Sequence, residues 1–365
     1  MEISAEIVKG ISYQPLLQKQ LKQVSLSDFD INKTPASCLV TDSQNFLAVS
    51  KWRTPKRTRS YPYERVYNTL SASKRITIIP VVIDEGINGD RDFVQWDTIA
   101  LMSLLDVYVI LAFVADASKH RKLTGKITNQ KLDNSHIVNK MQEIGNYFSS
   151  ALHWNLKELK NLPEVLKQAQ DAYEQISIKT QVLLHSAEGL RKFAFVVGES
   201  LEAFQKSSRQ KAFEAQRREF ATLQPKELLA TATKAKITIT NFLGGKYYFT
   251  VDEIKIENGI VELIECKHSS SSKLPSLSDI KDGLVKMILY VNLENVAVNS
   301  VLHAHHSVLQ LTGKELVGTI TSENKTELQN SFFQMNNFNI RQILLSQNLF
   351  AEAQQNNFVV RIGNL

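Results

Sequence analysis

The hydrophobic pattern divides the chain into stretches of different period. Arg75 to Asp84 (RITIIPVVID) is a β-branched, apolar run closed by the turn-forming EGINGD, which predicts a buried strand. Asp92 to Leu105 carries apolar residues at helical spacing and Val107 to Val114 is a second apolar run, so strand, helix and strand form a βαβ unit. From about Ser135 to Gln224 the period is helical, with a break near Asn161–Pro163 and apolar positions recurring at Val165, Ala169, Ala172 and Ile176. Glu202 to Glu219 is a polar, mixed-charge helix in this reading, and the whole stretch is expected to be a connector or arm, with plain structural packing the favoured role for its helices.

Past Pro225 the pattern shortens. Lys236 to Phe242 alternates, Gly244-Gly245 supplies a turn, Lys246 to Glu257 alternates again, and Asn258-Gly259 is a strong hairpin signal before Ile260 to His268. A three-stranded antiparallel unit follows. Leu274 to Leu293 is then an amphipathic helix with Pro275 and Ser276 near its start, and Ser307 to Thr312 reads as a further strand.

Composition adds limits. In 365 residues, 43% are apolar and 22% charged, with 14 Gly and 8 Pro, which excludes collagen-like and wholly disordered chains and suits two domains. Cys38 and Cys266 alone leave no disulfide framework and no Cys-rich zinc site, as expected of a reducing cytoplasm. The first residues lack the basic and apolar regions of a secretion signal. The longest apolar run, Val107 to Ala115, is far below the ~20 residues of a membrane span.

The net charge of +6 becomes informative when located. Residues 51–75 hold eight Lys or Arg against one acid, whereas residues 76–116 hold seven acids against one base. In the basic segment Lys51, Arg53, Lys56, Arg57 and Arg59 alternate with Trp52, Tyr61 and Tyr63, a mixture of cations and stacking rings that suits a phosphate backbone and bases. A solvated basic loop is the alternative. The acidic set Asp84, Glu85, Asp90, Asp92 and Asp97 is read first as helix-capping and dipole-favouring residues, with a metal cluster as the alternative.

The residues that carry chemistry lie in the hairpin unit. On the third strand a period of two places Val261, Leu263, Glu265 and Lys267 on one face and Ile264 and Cys266 on the other, which assigns Cys266 to the core. The Asn-Gly turn folds Asp252 back beside Glu265 and Lys267. Two converging carboxylates suit Mg²⁺, a hard cation that prefers oxygen, and the Cys266 backbone carbonyl completes the protein ligands. A lysine beside that position orients or helps deprotonate water and stabilises a pentavalent phosphate, the requirements of phosphodiester hydrolysis.

Asp252 with Glu265-Cys266-Lys267 resembles the motif of the PD-(D/E)xK nuclease superfamily, which contains most type II restriction endonucleases. Val251 stands where the usual proline would be. The order of strands, motif, helix and strand over residues 235–312 is the order that superfamily's core requires, and the stretches YPYERVYNTL, DEGINGDRDFVQWDTI and DIKDGLVKM resemble segments of bacterial restriction endonucleases. The resemblance implies an α/β chain with three parts. These are an N-terminal α/β region (1–128) for DNA recognition, a helical connector (129–225) and a restriction-endonuclease-like core (226–365) with a mixed sheet flanked by helices.

It further implies a Mg²⁺-dependent, ATP-independent endonuclease on double-stranded DNA. Asp252 and Glu265 would hold the metal and Lys267 would orient water, while Arg53, Lys56, Arg57, Arg59 and Tyr61 would grip DNA. An additional acid from the preceding helix is expected, with Glu227 nearest and Glu219 and Glu214 behind it. Cutting both strands implies a homodimer, or sequential nicking by a monomer, and a separately encoded DNA methyltransferase is the implied partner. Lys281 and Lys286 on the following helix are candidates for DNA contact or for i, i+4 pairs with acids.

Other constellations are weaker. His303 and His305, with His306, form the one histidine cluster and would share a strand face suited to zinc or manganese, without a third ligand at telling spacing. No Walker loop is present. A structure-specific DNA repair nuclease on the same core and a non-catalytic nucleic-acid-binding protein with a degenerate ExK site are the alternative functions.

Overall fold

The computed structural model describes residues 1–42, 45–55, 62–200, 202–208, 210, 233–242 and 246–364. The chain is mixed α/β and divides into two compact units, Met1–Lys19 with Gln210–Leu365, and Gln20–Arg209. This differs from the expected three parts: the first nineteen residues belong with the C-terminal unit, and the helical stretch as far as Arg209 belongs with the N-terminal one.

In the unit Gln20–Arg209, the described strands Lys22–Ser25, Ser37–Thr41, Phe46–Lys51, Lys74–Pro80 and Tyr108–Ala112 form one sheet in that order. Lys74–Pro80 runs parallel to Tyr108–Ala112 with the helix Trp96–Leu104 between them in sequence, so the expected βαβ unit is present. The helices Asn134–Gly145 and Ala151–Lys160 are no arm. Ile137, Met141, Ile144, Ala151 and Trp154 are buried in the same core as Ile76, Ile78 and Ile110 of the sheet. Trp154 and Asn155 also hydrogen-bond the backbone carbonyl and N–H of Val109, at 2.8 and 2.7 Å, and so satisfy polar groups of the edge strand that water would otherwise claim. The proposed domain boundary near residue 128 falls inside the strand Ile127–Leu132.

In the other unit, nine described strands form one mixed sheet, in the order Val301–Leu302, Glu294–Val298, Glu2–Ile7, Thr233–Asn241, Lys246–Glu257, Ile260–His268, Ala304–Thr312, Val359–Gly363 and Thr319–Thr321. The hairpin forms as its turn dictates: Asn258 and Gly259 both take positive φ, 52° and 78°, the conformation a two-residue turn between twisted strands needs. Ile260–His268 pairs antiparallel with Lys246–Glu257 and parallel with Ala304–Thr312. The helix Leu277–Tyr290 lies between these parallel strands in sequence and packs on both, with Ser276 capping its N-terminus by accepting from the Asp279 N–H.

The strand Glu2–Ile7 alternates exposed and buried residues without exception and inserts between Thr233–Asn241 and Glu294–Val298. The residues after it are fixed to the helix Ile340–Gln355, where the buried Glu352 accepts from the Tyr13 hydroxyl at 2.7 Å and from the Leu16 and Leu17 N–H groups at 3.0 Å. Among the described residues no helix is long and apolar enough to cross a membrane.

Candidate active site

Adjacent antiparallel strands bring the motif together. The register pairs Glu253 with Ile264, so Asp252 lies beside the start of Glu265-Cys266-Lys267, and the Cys266 N–H donates to Asp252 Oδ2 at 2.9 Å. In an extended strand the N–H and C=O of one residue face the same neighbour, so the Cys266 carbonyl faces the Asp252 strand as well. Glu265 is 1% exposed. Lys267 Nζ lies 2.9 Å from its Oε1, and Lys286 Nζ lies 2.7 Å from its Oε2.

Lys286 comes from the helix Leu277–Tyr290, which presents Asp282 and Lys286, four residues apart, toward the strand. Asp282 Oδ2 is 3.0 Å from Lys267 Nζ, giving that ammonium two carboxylate partners. Gly283 makes the approach possible, because a Cβ there would stand 2.8 Å from Leu309 Cδ1 and 3.2 Å from Lys267 Cε. The sequence pointed Lys286 to DNA or to a helical pair; it instead holds Glu265, and with Asp282 it is a site residue that sequence reasoning misses. Lys281 is buried and Lys286 only 15% exposed, so neither lysine offers the exposed contact expected of it.

Burial and neighbouring charge set the ionisation states. Asp252 is pushed up to about 6 by burial and by the nearby Glu265 carboxylate, with Lys286 and Lys267 opposing. Burial likewise pushes Glu265 up, but the Lys286 and Lys267 ammoniums outweigh it and hold the carboxyl below its ordinary range. Burial disfavours charge on both lysines, and Glu265 more than compensates, so both are raised and stay protonated. Lys267 therefore carries a positive charge and is no proton acceptor. Burial and the flanking acids raise the Cys266 thiol, which removes it as a nucleophile; its side chain is half-buried rather than in the core.

No family model, curated protein or solved structure matches the chain.

The donor set bears on which metal these residues would suit. Among the described residues no group of three or more His, Cys, Asp or Glu side chains is arranged to hold an ion. Asp252, Glu265 and the Cys266 carbonyl are all oxygen donors, which suits Mg²⁺ better than zinc. The three carboxylates and two ammoniums named here leave one negative charge in excess when all are ionised, a balance that favours a cation. Glu227, Glu219 and Glu214 lie outside the described residues.

The rival sites resolve into structural contacts. His303 Nδ1 bonds the Gly259 carbonyl at 3.2 Å and His305 Nε2 the Tyr290 carbonyl at 2.9 Å. Asp84 accepts from the Gly86 N–H at 2.8 Å and is bonded to His185 Nδ1 at 2.9 Å, which fastens the turn after its strand. Asp97 lies in the first turn of the helix Trp96–Leu104, at the dipole position expected of it.

The basic segment is only partly as expected. Arg53 is exposed, and Lys56, Arg57, Arg59 and Tyr61 lie outside the described residues. Trp52 and Tyr63 are 2% and 5% exposed and meet edge to face at 6.3 Å, so these rings pack the core and do not stack on bases. Lys51 donates to the carbonyls of Ile31 and Thr34 at 2.5 and 2.8 Å, a structural role.

Proposed function

We propose that this chain is a Mg²⁺-dependent endonuclease of double-stranded DNA, of the type II restriction class. The observation that carries the proposal is the placing of Asp252 beside Glu265 and Lys267 on two adjacent antiparallel strands, with the Lys267 ammonium 2.9 Å from Glu265. Asp252, Glu265 and the Cys266 carbonyl would hold Mg²⁺, which when bound polarises a phosphate oxygen and offsets charge in the pentavalent transition state. Lys267, kept protonated by its carboxylate neighbours, holds the attacking water by its oxygen and contributes positive charge beside the phosphate. Lys286 keeps Glu265 ionised in a buried position. Arg53 and the neighbouring cations of residues 56–59 supply sequence-independent grip on the DNA backbone. A homodimer would cut both strands, and a separately encoded methyltransferase would protect the host's own sites.

The test is incubation of a large plasmid with purified protein and Mg²⁺, followed by sequencing of the fragment ends, with Glu265→Gln as control. A discrete set of ends, absent with the control, is expected. Cutting confined to flaps, ends or junctions would favour a repair nuclease. Salt-dependent binding of DNA without any cutting would overturn the catalytic reading in favour of a binding protein.

A further inference from the structure

Both oxygens of Glu265 already carry an ammonium. Its Oε1 is taken by Lys267 and its Oε2 by Lys286, and at 1% exposure it has no solvent-facing alternative. A divalent cation that approaches Glu265 meets two ammoniums, and like-charge repulsion favours the withdrawal of one of them. The two lysines are not equivalent in this respect. Lys286 has Glu265 at hydrogen-bond distance, the Thr250 carbonyl at the long distance of 3.5 Å, and Asp252 as a second neighbouring carboxylate. Lys267 already has a second carboxylate in place, Asp282 at 3.0 Å, on a side chain 26% exposed. Moving Lys267 onto Asp282, which it already touches, leaves no unpaired buried charge, whereas the second carboxylate near Lys286 is Asp252, itself assigned to the cation.

We propose that Asp282 is a positioning residue that receives the Lys267 ammonium when Glu265 turns to a divalent cation, so that Glu265 exchanges partners without Lys267 leaving the site. The helix is built for this contact. The missing Cβ at Gly283, next to Asp282, is the space through which the backbone comes down onto the Lys267 stem. With Asp282 absent, Lys267 has Glu265 alone and competes with the cation for it. The inference rests on the metal-dependent nuclease reading and assigns Asp282 a role within it.

A double-mutant cycle on Mn²⁺ affinity, measured by calorimetry without DNA, tests it. Asp282→Asn should weaken Mn²⁺ binding by about fivefold or more in the Lys267 background. The same substitution should have no effect in a Lys267→Met background, where no ammonium remains to be received. Asp282→Glu should restore the affinity that Asp282→Asn removes, and Asp282→Ser repeats the cycle should the Asn variant not fold. Equal weakening in both backgrounds would reduce Asp282 to a distant negative charge and overturn the proposal, as would no weakening in either. A wild-type protein that binds Mn²⁺ and passes the cycle but leaves DNA intact would overturn the nuclease reading and sustain the exchange. Failure of the wild type to bind Mn²⁺ would overturn both.

Discussion

Lys286 and Glu265, 21 positions apart and carried by a helix and a strand, meet at 2.7 Å with both side chains withdrawn from solvent. The pair ties the helix Leu277–Tyr290 to the motif strand and keeps the Glu265 carboxyl ionised, so it joins the stability of the unit to the readiness of the site.

Removing one member of a buried ion pair leaves a charge with too few partners. Lys286→Met should therefore destabilise the unit by about 3–5 kcal/mol, and adding Glu265→Gln should recover a large part of the loss. Urea unfolding of both variants checks this, and equal destabilisation in the two would show that the cost lies in packing and not in charge.

Asp252 gives the site a pH dependence of definite sign. Its pKa rises from an ordinary value near 4 to about 6 on folding, so the folded state binds the proton more tightly. Its contribution to stability is fully present below about 4 and is lost as pH rises toward and through about 6. Relative to Asp252→Asn, the wild type without divalent cation should lose stability over that window. Cation binding needs the ionised form, so Mn²⁺ affinity should fall on the order of tenfold between pH 7 and pH 5. Calorimetry across the range would show it, and a flat profile would remove the assigned shift.

Gly283→Ala separates helix propensity from site geometry. Ala in place of Gly inside an exposed helix is ordinarily stabilising by about 1 kcal/mol. Here the new Cβ meets Leu309 and Lys267, so the gain should vanish and single-turnover DNA cleavage should slow by about tenfold or more through displacement of Lys267. Thermal unfolding beside cleavage rates distinguishes the two effects.

The basic segment should divide by function. Replacing Arg53, Lys56, Arg57 and Arg59 with Ala should weaken DNA binding and flatten its dependence on salt, by about 0.9 in log–log slope for each phosphate left without its cation. Lys51→Ala should instead lower stability, because its ammonium holds the Ile31 and Thr34 carbonyls. Filter binding across a salt series, with unfolding as a parallel measurement, checks both.

Features determined by near neighbours were legible in the sequence. The hairpin at Asn258-Gly259, the alternation that aligned Glu265 with Lys267, and the helix start at Ser276 each depend on a few adjacent residues, and all are present. What escaped depends on which way a helix faces or on a distant partner. Periodicity says that Lys286 and Asp282 share a helix face but not that the face meets Glu265. The alternation of Glu2–Ile7 was visible in EISAEI, whereas its partners more than 200 residues away were not. Aromatic residues in a basic run look the same whether they stack on bases or fill a core, and Trp52 and Tyr63 fill the core. Amphipathic helices that pack on a sheet have the period of a free-standing arm, so residues 134–160 carry the pattern of a connector while lying against the sheet.

The placement of Glu2–Ile7 between Thr233–Asn241 and Glu294–Val298 has a consequence for biosynthesis. The strand leaves the ribosome well before either neighbour, and roughly 230 further residues separate it from the first, an interval on the order of ten to fifty seconds at ordinary elongation rates. Residues 20–209 form a unit of their own and can fold within that interval. Meanwhile an alternating strand with both hydrogen-bonding edges open has to be kept from other chains. A ribosome that stalls between these segments would hold a folded insert and an unmatched strand, so the first seven residues are where a nascent chain of this protein is most exposed to chaperone capture or to aggregation.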